Sequence, residues 1–145
     1  VEVDKIFQSI SIYEPSNNRS LLIKSKYIQI IADCYNANPT STLAALKSFI
    51  NTNFEKKLVI LGDMLELGDQ EEKEHQQIVH YLKKNNLTAI LVGKCYQKSK
   101  NDFICFEKTE FLLDYLQNKN FRNHLILLKG SRGIKLESII NQNIL

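Results

Sequence analysis

Apolar positions along the chain change period several times, and each change marks an element. From Leu21 to Asp33 (LLIKSKYIQIIAD) apolar and β-branched residues dominate, broken only at Ser25-Lys26, which predicts two short strands joined by a tight turn. The period then becomes helical. Leu43, Leu46 and Ile50 recur at helical spacing behind Asn38, a capping residue type, and Pro39, suited to a first helical position, so a helix is expected from about Pro39 to Asn51. Leu58 to Leu61 is a continuous apolar run ending in Gly62-Asp63, the form of a buried parallel strand that opens into a loop. Glu71, Glu72 and Glu74 suit the positive end of a helix dipole, and Ile78, Val79 and Leu82 supply that helix with a buried stripe.

The alternation continues to the end of the chain. Ala89 to Val92 is a buried strand closing at Gly93, Phe103 to Phe106 a weaker one, Thr109 to Gln117 a helix and His124 to Leu128 a strong last strand. After the turn Lys129-Gly130-Ser131-Arg132-Gly133, the residues Ile134, Leu136, Ile139 and Ile140 predict a final amphipathic helix. Strands alternating with helices give an α/β fold: a three-layer, Rossmann-like sandwich, with a mostly parallel sheet and an N-terminal β-hairpin at one edge. Ligands of such sheets bind outside the carboxyl ends of the strands. Three loops therefore matter most, at Asp33–Thr42, Gly62–Gly68 and Lys129–Gly133.

Composition narrows the class without changing this picture. The 145 residues are 43% hydrophobic, enough for one core, and 19 Lys plus Arg against 16 Asp plus Glu leave a formal +3 with no block of like charge. Nothing in that balance favours a nucleic-acid or membrane partner. The 3 cysteines are odd in number, far apart and without zinc-ligand spacing, which points to reduced thiols in a cytoplasmic protein. No apolar run reaches the roughly 18 residues of a membrane span, and no signal pattern opens the chain. The first residue is Val1 rather than Met, as expected if a longer polypeptide precedes it.

The loops carry distinct chemistry. D-C-Y-N-A-N-P-T-S-T sets a carboxylate and two amides before a helix N-terminus, a place that favours phosphate or carboxylate. Asp33 there either accepts from hydroxyls such as those of a ribose or simply ends a strand, and Asn38 either lines a site or only caps the helix. Asn36 has no such structural duty. G-D-M-L-E-L-G offers Asp63 and Glu66, both also ordinary loop residues. His75 shares the apolar stripe of its helix, the position of a satisfied core or rim histidine, and His80 and His124 read as structural. In K-G-S-R-G, Lys129 and Arg132 offer charge-assisted bonds to an anion. Neither a G-x-x-x-x-G-K-[ST] loop nor a G-x-G-x-x-G fingerprint occurs, so these loops look like half of a site.

Four motifs in order, N-N-R-S at 17–20, D-C-Y-N-A-N-P at 33–39, G-D-M-L-E-L-G at 62–68 and K-G-S-R-G-x-x-L-E at 129–137, resemble the C-terminal third of the MurF-type Mur ligases. The resemblance implies that residues 1–20 end a central ATPase domain and its linker, and that 21–145 form the acceptor-binding C-terminal domain. It implies an ATP- and Mg²⁺-dependent ligase that joins D-Ala-D-Ala to UDP-MurNAc-tripeptide in peptidoglycan synthesis in the bacterial cytoplasm. This chain would close over ATP, with the central and N-terminal domains of the same polypeptide as partners, and would be inactive and hold no cofactor tightly by itself. Carried over by motif, Arg19, Asp33, Asn36 and Asn38 would serve the nucleotide, and Tyr35, Asp63, Lys129, Ser131 and Arg132 the acceptor. Leu21 stands where the family usually has Gln, which removes a polar hinge contact and leaves Arg19 in place. The alternatives are a free-standing α/β small-ligand module or a Mur-type ligase with another acceptor.

Overall fold

The structure, a computed structural model, describes residues 7–12, 21–25, 27–34 and 36–142. Two of the implied site residues, Arg19 and Tyr35, lie outside the described residues. The strands are β1 (Phe7–Ile12), β2 (Leu21–Ser25), β3 (Gln29–Asp33), β4 (Lys56–Gly62), β5 (Ala89–Val92), β6 (Ile104–Phe106) and β7 (His124–Lys129). They form one sheet in the order β1-β2-β3-β7-β4-β5-β6. Every pairing from β3 across to β6 is parallel, and β1–β2 and β2–β3 are antiparallel, so the expected hairpin lies toward one edge. Ser25 builds that hairpin's turn: its Oγ accepts the Ile28 N–H at 3.0 Å and donates to the Ile28 carbonyl at 3.1 Å.

The helices are α1 (Pro39–Ile50), α2 (Glu71–Lys84), α3 (Lys94–Lys98), α4 (Thr109–Leu116) and α5 (Ser138–Asn141). Side chains of a strand alternate between faces, and the core divides accordingly. Val59, Leu61, Leu91, Leu125 and Leu127 pack under Leu46 and Phe49 of α1 and Ile78, Val79 and Leu82 of α2. Leu58, Ile60, Ile90, Ile126 and Leu128 face the other way, onto Leu112, Leu113 and Leu116 of α4 together with Leu136 and Ile139. This makes three layers. Each fully buried aliphatic side chain contributes about 1.5–3 kcal/mol. β7, which matches β4 in the length of its unbroken buried stretch, Leu125 to Lys129, sits between β3 and β4, covered on both faces as a parallel central strand must be.

Three elements differ from the sequence pattern. Phe7–Ile12, expected to belong to a preceding domain and linker, pair with β2 and extend the same sheet. The segment after Gly93 forms the five-residue α3, too short to show a helical period. The expected long final helix is split into a single 3₁₀ turn, Arg132–Ile134, and the one-turn α5. Lys135 separates them with a left-handed φ of 63°, where an L residue cannot continue a right-handed helix. Ile134, Leu136 and Ile139 still reach the core on that broken path, which satisfies the apolar pattern without a continuous helix.

Candidate functional site

Parallel register brings the three loops to one end of the sheet. Asp33 at the end of β3 lies directly opposite Lys129 at the end of β7. Their side chains meet: Lys129 Nζ donates to Asp33 Oδ2 at 2.7 Å and to the Asn36 carbonyl at 2.9 Å. Both residues are buried, Asp33 at 4% and Lys129 at 1% exposure. Asp33 Oδ1 is buried too, and no described residue donates to it. The neighbouring Cys34 thiol is pushed up to about 12, by burial first and then by the Glu137 and Asp33 carboxylates, so it stays protonated beside the pair.

Lys129 therefore departs from the anion-binding role that the resemblance implies. Its ammonium is enclosed and committed to two acceptors, because β7 runs beside β3 and places the lysine against a carboxylate. Asn38 likewise has a local duty: Oδ1 accepts the Ser41 N–H at 2.8 Å, and Ser41 Oγ accepts the Asn38 N–H at 3.1 Å. This capping box secures the start of α1 and contributes about 1 kcal/mol. The Asn36 side chain is exposed beside the buried pair and makes no hydrogen bond among the described residues.

Ser131 joins all three loops. Its Oγ accepts the Leu65 N–H at 2.9 Å and approaches the Ala37 carbonyl at 3.4 Å, while its own N–H donates to the Asp63 carbonyl at 3.1 Å. Close packing of glycines permits this junction. A Cβ on Gly130 would come within 2.9 Å of the Gly62 Cα, so a side chain there would push β4 and the last loop apart. Arg132, the next residue, is exposed at the rim.

Asp63 shows how differently a second strand-end carboxylate is used. It is 3% exposed and turned toward α3, accepting the Cys95 N–H at 2.9 Å and the Tyr96 N–H at 3.0 Å. It caps that helix, where a negative charge suits the dipole, instead of facing an acceptor as the resemblance implies. Gly93 makes the approach possible, since a Cβ there would collide with the Asp63 carboxylate. His75, fully buried, anchors the same loop: Nε2 accepts the Met64 N–H at 2.9 Å and Nδ1 bonds the Glu71 carbonyl at 2.7 Å. The core reading of His75 holds. Ligand atoms of Asp63, His75 and Cys95 lie within 4.8 Å of one another. The His75 Nε2 lone pair is already occupied by the Met64 N–H, and both Asp63 oxygens accept backbone N–H groups, so the group is committed to holding the loop.

The motif-bearing region is also what relatives share. The family described as Mur ligase, glutamate ligase domain matches residues 18–132, which include all three loops down to Arg132. The chain belongs to this family. Among curated relatives, the UDP-N-acetylmuramoyl-tripeptide–D-alanyl-D-alanine ligase of Rickettsia prowazekii (strain Madrid E) is 31% identical over 133 residues, covering 87% of this chain and 30% of that protein. Among solved structures, MurF from Acinetobacter baumannii aligns with a TM-score of 0.73 at 27% identity, covering 90% of this chain and 30% of that one. MurF ligase from Thermotoga maritima, solved with ADP, aligns at 0.70 and 22% identity over 85% of this chain and 29% of that one, a likeness of fold. The chain thus spans about 30% of these relatives' length and is a MurF-type Mur ligase C-terminal domain. No helix among the described residues is long and apolar enough to cross a membrane.

Proposed function

We propose that this chain is the nucleotide-closing and acceptor-presenting domain of an ATP-dependent ligase that joins D-Ala-D-Ala to UDP-MurNAc-tripeptide in peptidoglycan synthesis. The observation that carries the reading lies at the ends of β3, β7 and β4, where a buried Asp33 oxygen has no donor among the described residues and Asn36 and Arg132 are exposed. The family match spans the loops that carry these residues, and the 31% identical Rickettsia prowazekii relative is named for this reaction.

In the proposed reaction a carboxylate of the tripeptide is activated as an acyl phosphate and the dipeptide amine displaces phosphate. Neither partner reacts usefully in open water, so the role of this chain is to close and orient. Asp33 Oδ1 fits a sugar hydroxyl of the nucleotide, and Asn36 offers an adaptable amide beside it. Arg132 and the N–H groups of the Gly-flanked turn suit the dipeptide carboxylate. Arg19 in the linker and Tyr35 in the first loop complete the assignment by motif. Lys129, Ser131, Asn38 and Asp63 hold the loops in shape, from behind the contact surface. Mg²⁺ prefers oxygen ligands, and the Asp63, His75 and Cys95 group offers one carboxylate with nitrogen and sulfur, so no Mg²⁺ role is assigned to that group. Residues 1–20 serve as the connection to them, with Phe7–Ile12 lying on this domain's sheet.

The test is an assay of the ligase that carries this chain as its C-terminal domain, encoded so or assembled by grafting onto the other two-thirds of a MurF-type enzyme. Expected is ATP-dependent formation of the pentapeptide product with D-Ala-D-Ala, and no ATP turnover by the 145-residue chain by itself. ATP hydrolysis by the purified chain that disappears in Asp33→Asn would overturn the division of labour. Product formed preferentially with a different amino acid would overturn the acceptor.

A further inference from the structure

Among the described lysines, Lys129 alone is buried, and its position is hard to reconcile with direct binding of a substrate. To grip a carboxylate in the crevice, the ammonium would have to leave a 2.7 Å ion pair and a 2.9 Å bond to a carbonyl, both inside the protein. What it does instead is set the state of Asp33. The two residues are register partners on adjacent strands, so their backbones are fixed by the sheet, and the bond to Oδ2 then fixes rotation of the carboxylate. Within the pair this leaves Oδ1 without a donor among the described residues, as it also leaves Oε1 of Glu137 and the hydroxyls of Thr42 and Tyr96 elsewhere in the domain. A carboxylate oxygen out of water and unpaired is an unusual thing to keep. It is readily explained as an acceptor completed by a ligand.

The charge of the site indicates what kind of donor completes it. One carboxylate and one ammonium make the pair itself neutral, the Glu137 carboxylate adds a negative charge nearby, and a second cation brought to Oδ1 would still come close to the Lys129 ammonium. A neutral hydroxyl meets no such penalty. The geometry points to Lys129 as a positioning residue that acts through Asp33, holding Oδ1 ready for a sugar hydroxyl of the nucleotide and touching neither nucleotide nor acceptor itself. This rests on the ligase reading above and deepens it, because it moves Lys129 from the acceptor side of the site to the nucleotide side. Preorganisation of this kind matters most where a group must be correctly placed before the cleft closes.

The experiment compares the ligase carrying this chain with its Asp33→Asn, Lys129→Met and double Asp33→Asn/Lys129→Met variants, using ATP and 2′,3′-dideoxy-ATP. Wild type should prefer ATP over the dideoxy analogue by about tenfold or more, the scale of one charge-assisted hydrogen bond. Both single variants should raise the KM for ATP and erase that preference, with the KM for D-Ala-D-Ala within about twofold of wild type. The double variant should be no worse than Asp33→Asn, as expected of two residues acting as one unit. Because Lys129→Met strands a buried carboxylate and can fail to fold, the double variant, which removes both charges, supplies the decisive comparison with Asp33→Asn. A higher dipeptide KM at unchanged ATP KM, or losses that add in the double variant, would overturn the inference. The two levels separate cleanly: an enzyme that prefers ATP but joins no peptide sinks the ligase reading alone, and one that joins peptide without preferring ATP over the analogue sinks the positioning role alone.

Discussion

Asp33 and Asp63 invite direct comparison. Each ends or follows a parallel strand at the same edge of the sheet, each is almost fully buried, and each lies in one of the motif loops. Asp63 has a backbone N–H on both oxygens and serves the fold. Asp33 has a lysine on one oxygen and nothing among the described residues on the other. What separates the two is the valence that Asp33 leaves open, the feature on which its proposed role rests. Burial and loop position are the same for both.

The comparison can be broken at several points. The largest effect is expected from Lys129→Met, which leaves the Asp33 charge buried and unpaired and should cost about 3–5 kcal/mol in chemical denaturation. Adding Asp33→Asn to it should recover most of that loss. Next comes Asp63→Asn, whose new amide sets a donor against a backbone N–H of α3 and should cost about 1–3 kcal/mol. That variant should keep the preference for ATP over the dideoxy analogue, and losing it would erase the distinction between the two aspartates. Ser131→Ala removes one buried hydroxyl and should cost about 1 kcal/mol. Its clearer signature is faster amide exchange at Leu65, with the β-sheet amides unchanged.

The last comparison concerns pH, and its effect is confined to alkaline conditions. Burial raises the Cys34 thiol to about 12 in the folded protein, above its ordinary value near 9. Stability from this group is therefore complete below about pH 9, and falls between there and 12 as the unfolded thiol ionises first. Denaturation midpoints measured across pH 8 to about 11 should decline less steeply in Cys34→Ala than in wild type. Equal slopes would remove the electrostatic account of the Asp33 surroundings.

Much of this organisation is legible in the sequence, for reasons that differ by element. Ala89–Val92 and Pro39–Ile50 emerge almost to the residue, because an unbroken apolar run and a capped helical stripe are local signals. The final helix does not, since its apolar spacing is equally served by a 3₁₀ turn and a left-handed Lys135. In the site, sequence brings the right loops together. It cannot tell which charged side chain faces a ligand and which faces another side chain. Lys129 reads as a free cation until β3 is seen beside β7, and Asp63 reads as a site residue until the short α3 is seen beneath it. The signal that separates them is strand order, which arises from contacts remote in sequence. His75 was the easier case, because its place on a stripe with Ile78, Val79 and Leu82 already puts it in the core.

That strand order has a further bearing on how the domain is made. β7 is the last strand to be synthesised among those described, yet it lies in the middle of the sheet. Without it, β1 to β3 and β4 to β6 have no strand in common, and the inner edges of β3 and β4 would be left open. β7 pairs with both of those edges, and the same pairing sets Lys129 opposite Asp33. The strand that joins the two halves of the sheet is thus also the one that carries Lys129, so a chain cut short before β7 would lose both the joined sheet and the candidate site.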